Sequence, residues 1–174
     1  MQPCVRLLID EVDFANALQD VYTGLTFLSL ACTTLGLIKP LPYPENEEAI
    51  YRARFKLFEK VVVPQFIKYE KFVEDRKRIL DNQEAPDMLN SAKHFLMEGK
   101  ATLARMAEVP VELRNGEHYS KEYLEKLMKL IVRNSLNIAK VQMMTIGGKQ
   151  LPEKLRLVVD QANSMTVMPA LELK

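Results

Sequence analysis

Apolar residues recur three to four positions apart through most of this chain, and the runs stop where proline or paired glycine intervenes. That pattern commits the backbone to helices of limited length. Leu8, Val12, Ala15, Leu18, Tyr22 and Leu25 trace the first run, which predicts one long helix over Val5 to Leu37. Lys39-Pro40-Leu41-Pro42-Tyr43-Pro44 ends it, because prolines lack the amide donor and push the preceding residue out of the helical region, leaving a stiff extended connector. Glu45, Glu47 and Glu48 suit the positive end of the next helix dipole, and that helix runs through Tyr51, Phe55 and Phe58 to a kink at Pro64. Pro86 then falls in a first helical turn, with Met88, Ala92, Phe95, Gly99, Leu103 and Met106 on one face up to Pro110. Asn115-Gly116 reads as a turn and Ser120 as an N-cap, opening a helix through Leu124, Leu127, Met128 and Ile131 that Gly147-Gly148 stops.

The expectation is an all-α fold, an irregular helical bundle or scaffold of four to five long helices with no sheet. It forms one module over residues 1–174: a long N-terminal helix (1–38), a proline-rich connector (39–46), a helical core (47–146), and a short helix with an extended tail (147–174). Leu155, Leu157, Val158 and Val159 would form the short helix, and Met165 to Leu173 the apolar tail. No internal repeat is legible, so the pattern within the chain gives no support to a solenoid of regular repeats.

Composition narrows the function classes. A chain of 174 residues with 48% hydrophobic and 27% charged side chains can bury a core of its own. Its formal charge of +1 gives no global attraction to nucleic acid or anionic lipid, so such a partner would have to meet a local patch. Cys4 and Cys32 make no disulfide framework, and the N-terminus has no secretory pattern, which favours a reducing, cytoplasmic setting. Val21 to Ile38 is free of charge and near the lower limit for a membrane span, but five Ser/Thr hydroxyls and two glycines argue for a buried core helix. His94 and His118 lie in no metal-binding spacing; His94 is expected to be structural beside Phe95, and His118 solvated near the turn. The scattered glycines form no phosphate cradle, and neither an acetyl-coenzyme A loop nor a nucleophile elbow is present. Six methionines in predicted helices fit adaptable core packing better than a groove for partner helices.

The most individual segment is Tyr51 to Phe72. Six of the thirteen aromatic residues fall there, with six basic side chains against two acidic ones. Helical spacing gathers the aromatics into one stripe on each side of Pro64, the arrangement of a buried face with a charged back. Core packing, a subunit interface, and an exposed stacking surface for nucleic acid all remain open, the last using Arg52, Arg54, Lys56 and Lys60.

Tyr51, Arg54, Phe55, Phe58, Pro64, Tyr69 and Phe72, at these spacings, resemble a segment near the C-terminus of the large auxiliary subunit of the NatC N-terminal acetyltransferase. Further matches follow in order: Ala85-Pro86-Asp87, Lys93-His94-Phe95 with Lys100 and Leu103, Gly147-Gly148-Lys149, and an apolar terminus containing Pro169. The resemblance runs from about Asp13 to the end and makes the chain similar to the C-terminal portion of a larger helical subunit. It implies a non-catalytic scaffold that holds a catalytic acetyltransferase subunit and a small Sm-like subunit, and that helps attach the complex to ribosomes. Acetyl-coenzyme A would sit on the catalytic subunit, and no catalytic, cofactor or metal residue carries over. The matching positions Tyr51, Arg54, Phe55, Phe58, Pro64, Tyr69, Phe72, Lys93, His94 and Phe95 are the structural and interface candidates. Without that resemblance, the same segment would suggest an unrelated helical adaptor or an RNA- or ribosome-binding module.

Overall fold

The computed structural model describes residues 3–38, 45–56, 68–110, 120–146, 155–161 and 167–173. These comprise helices α1 (Pro3–Thr34), α2 (Glu47–Phe55), α3 (Tyr69–Asn82), α4 (Ala85–Glu108) and α5 (Lys121–Ile146), followed by strands β1 (Leu155–Gln161) and β2 (Val167–Leu173). Two compact units result: Met1–Ile38 with Ala85–Lys174, and Lys39–Glu84.

The helix ends follow local chemistry. After α1, Gly36 takes φ 70, a left-handed conformation that costs glycine nothing. Its amide bonds the Thr33 carbonyl at 3.0 Å and the Leu37 amide bonds that of Cys32 at 2.8 Å, so a Schellman motif satisfies carbonyls at the helix end. Leu37 is buried beneath this turn, supplying the apolar contact the motif favours. The hydroxyls of Thr26, Thr33 and Thr34 donate to carbonyls four residues back, which satisfies these three polar groups of the charge-free run inside the helix. No described helix is long and apolar enough to cross a membrane. At the start of α5, the Ser120 hydroxyl accepts the Tyr123 amide at 3.2 Å, as its N-cap reading predicts.

The larger unit is built on α1, α4 and α5. Gly24 of α1 faces Ala92 and Leu96, while Gly99 of α4 faces Ala17 and Val21, so the two helices run antiparallel at close range. A Cβ at Gly24 would lie 2.9 Å from the Ala92 carbonyl oxygen, and one at Gly99 would lie 2.9 Å from that of Ala17. Backbone meets backbone here, and only glycine leaves room. Gln142 donates to Asn90 at 2.8 Å, and Phe14 meets Tyr123 with ring centroids 6.2 Å apart. Those contacts set α5 antiparallel to α4 and parallel to α1. Val21, Leu28, Met88, Leu96, Leu103, Leu124, Leu127, Ile131 and Ile138 form the shared core. Burial of each such large side chain is worth about 1.5–3 kcal/mol, and this burial holds the three helices together.

Residues from Leu155 onward correct the expected short helix. Leu155 to Gln161 pair antiparallel with Val167 to Leu173, in a register that sets Leu157 opposite Leu171 and Val159 opposite Pro169. In a two-stranded sheet both strands are edges, and an edge tolerates the amide that Pro169 lacks. Strand β2 lies against α5, which gives the hairpin the support an isolated pair would lack. The helical architecture stands, with this hairpin added at its end.

Candidate functional site

In the smaller unit the two aromatic stripes find each other. Tyr51 lies 4.6 Å from Phe55, 5.5 Å from Tyr69 and 4.9 Å from Phe72, measured between ring centroids. All three pairs are tilted, the geometry aromatic quadrupoles favour over a face-to-face sandwich. The stripe of α2 therefore packs on the stripe of α3, and the aromatic side chains are half-buried. Half-buried rings that tile one another are poor platforms for nucleic-acid bases.

One carboxylate ties this cluster together. Arg76 donates from Nη1 to Glu47 Oε1 at 2.6 Å and from Nη2 to Oε2 at 3.3 Å, a bidentate pair in which both side chains are 22% exposed. The Tyr69 hydroxyl donates to Glu47 Oε2 at 3.0 Å. The Arg76 guanidinium also lies 5.3 Å from the centroid of the Phe72 ring, within cation–π range. The hydrogen bond from Arg76 holds the Glu47 carboxyl below its ordinary value. Burial first, and then the Glu47 hydrogen bond, push the Tyr69 phenol up; burial alone does so for Tyr51. Both Glu47 oxygens are occupied by donors, so the group clamps α2 to α3 instead of offering a free carboxylate to a ligand.

The basic back of the segment is also engaged in part. Arg52 Nη2 lies 2.7 Å from Glu48 and 3.5 Å from Glu70, and all three side chains are exposed. Such surface pairs contribute about 0–1 kcal/mol, so they orient Arg52 more than they stabilise the fold. Arg54 falls within α2. Phe58, Lys60, Pro64 and the expected kink lie outside the described residues, as does His118.

Lys93, His94 and Phe95 belong to α4 in the other unit. Phe95 is half-buried and stacks on Phe27, with centroids 5.8 Å apart and planes 5° apart. His94 is exposed, its ring 5.5 Å from that of Phe95, the neighbour beside which the sequence sets it. The reason is phase: at about 100° per residue, position 94 lies roughly 200° from both Ala92 and Leu96, which define the buried face. Lys93 is likewise exposed. Of the ten candidates, then, Tyr51, Phe55, Tyr69 and Phe72 are brought into one cluster.

Other contacts that matter were not legible in the sequence. Glu47 and Arg76 stand 29 positions apart, beyond any local spacing rule. Asn90 and Gln142 stand 52 apart. The methionines divide: Met88 and Met106 are buried, whereas Met97 and Met143 are exposed. Cys32 is a buried free thiol, pushed up to about 11 by burial.

Neither the curated proteins nor the solved structures yielded a match to this chain. A family model described as NAA35-like, TPR repeats, does match, over residues 6–162. Its description names repeats where the sequence pattern shows none. With a match running from α1 into the C-terminal hairpin, this chain belongs to the NAA35-like TPR-repeat family.

Proposed function

We propose that this chain serves as a non-catalytic scaffold within an N-terminal acetyltransferase complex of the NatC type. Membership in the NAA35-like family over residues 6–162 is the observation that carries this reading. In that role it would hold a catalytic acetyltransferase subunit and a small Sm-like subunit, in the cytoplasm and near the ribosome. The complex would modify nascent chains that begin with Met and a bulky hydrophobic residue, with acetyl-coenzyme A bound by the catalytic subunit.

The fold is compatible with such work. Long helices packed on a continuous apolar core make a stiff frame, and their outer faces remain for partners. The aromatic cluster of α2 and α3, locked by Glu47 and Arg76, would act as a rigid structural element.

Co-purification tests the proposal. The tagged chain, expressed in its natural cellular setting, should recover an acetyltransferase, and the purified chain alone should transfer no acetyl group to a Met-Leu peptide. Transfer by the chain alone would overturn the non-catalytic assignment, and recovery without any acetyltransferase would overturn the complex.

A further inference from the structure

Helix α5 has two opposed apolar faces, and the fold uses one. Leu124, Leu127, Ile131, Ile138 and Val141 are at most 1% exposed in the core. On the other side Val132, Leu136 and Met143 are 37%, 60% and 74% exposed, with Ala139 exposed between them. Positions 132, 136, 139 and 143 alternate steps of four and three, the spacing of a heptad seam.

Charge marks one edge of that seam. Lys126, Arg133 and Lys140 recur every seven residues and so occupy the same flank, while Ser135 and Gln142 on the opposite flank are neutral. No acidic residue occurs from Lys126 to Ile146. Lys126 meets Glu122 at 3.1 Å on the exposed surface, a pair weak enough to rearrange.

We propose that this outer seam of α5 docks an amphipathic helix of a partner protein whose flank beside its own apolar seam is acidic. The stripe is too narrow and lacks the aromatic residues of a helix lying in a membrane surface, which needs a broad apolar face. A second copy of α5 is disfavoured, since antiparallel pairing would set the basic flank against itself. Nor does α1 supply a matching seam: its exposed Ile9 and Val12 continue at the same spacing into Asn16 and Gln19. The inference deepens the scaffold reading by naming the chemistry of a partner, and rests on partner binding but not on the partner being an acetyltransferase.

Two designed peptides of equal length test it, both with leucine at the seam positions, one flanked by glutamate and the other by lysine. Binding to the purified full chain is followed by fluorescence anisotropy at physiological salt. The glutamate peptide should bind at least tenfold more tightly, Leu136→Asp with Met143→Asp should abolish binding, and Lys126→Glu with Lys140→Glu should reverse the preference. If the aspartate variant unfolds, the charge reversal still decides, since it leaves the apolar seam intact. Equal binding of both peptides, no binding of either, or binding that survives Leu136→Asp would overturn the proposal. So would a concentration-dependent dimer dispersed by Leu136→Asp, or Leu136-dependent retention on phosphatidylserine vesicles. Because the peptides contain no acetyltransferase sequence, failure here leaves the co-purification result standing, and the converse holds too.

Discussion

Replacing Gly99 by alanine sets two physical effects against each other. In an isolated helix the change is favourable, since alanine exceeds glycine by about 1 kcal/mol in helix propensity. In this fold the new Cβ would stand 2.7 Å from Val21 Cγ2 and 2.9 Å from the Ala17 carbonyl oxygen, where ordinary contact begins at 3.4 Å. Val21 can shift its side chain, but the Ala17 carbonyl is committed to the α1 backbone. Relief therefore requires α1 and α4 to separate by about 0.5 Å, and a gap of that size forfeits about a quarter of each dispersion contact across the seam. Ala17, Val21, Leu28, Ala92, Leu96 and Leu103 all share that seam and are buried. Overpacking of this kind costs about 1–3 kcal/mol, and with the propensity gain set against it we expect a net loss of up to about 2 kcal/mol. For a chain of this size that lowers the melting temperature by up to roughly 8 °C. Thermal unfolding followed by circular dichroism measures it, with exposed Ala101→Gly on the same helix calibrating propensity alone. In a Val21→Ala background the further loss caused by Gly99→Ala should shrink but not vanish, because the carbonyl clash remains. A Gly99→Ala protein that melts higher than the parent would refute the close-contact argument, since that is the result propensity alone gives.

Three further outcomes follow from single contacts. Ser120→Ala removes the acceptor for the Tyr123 amide and should cost about 1 kcal/mol in urea unfolding, whereas Ser120→Asp should be near neutral. Because the Glu47 carboxyl is depressed, its stabilisation of the α2–α3 pair is present in full above the ordinary glutamate value and is lost as pH falls through the lowered native value. The opening equilibrium of α2 and α3, read from amide exchange corrected for the intrinsic rate at each pH, should therefore shift toward the open form in acid, and Glu47→Gln should flatten that dependence; an unchanged profile would remove Glu47 from the clamp. Cys32 is buried with its thiol raised to about 11, so a thiol reagent at pH 8 should modify it only on unfolding, and rapid labelling of the native protein at this residue would contradict its burial.

Reading these residues in order recovers the helices because the signals are local. Periodicity, Ser120 and Pro86 anticipate α1, α4 and α5 to within a few residues at each end. Phase within one helix likewise gives most of the buried face of α4, including Met88, Ala92, Gly99, Leu103 and Met106. Where local signals are ambiguous the reading fails. Leu155 to Val159 is a short apolar run that suits a helix or a strand, and the choice falls to strand through pairing with Val167 to Leu173.

The sequence by itself determined that this chain is helical, where its long helices start and stop, and that two aromatic stripes flank Pro64, since caps, prolines and periodicity act within a few residues. Tertiary structure alone decided that the stripes of α2 and α3 cover each other, and that Glu47 reaches Arg76. It also decided that Gly24 and Gly99 bring α1 and α4 together, and that Val132, Leu136 and Met143 stay outside the core. Those outcomes depend on which surfaces meet across tens of residues, and an apolar side chain carries no mark of whether its partner lies in the same chain or in another.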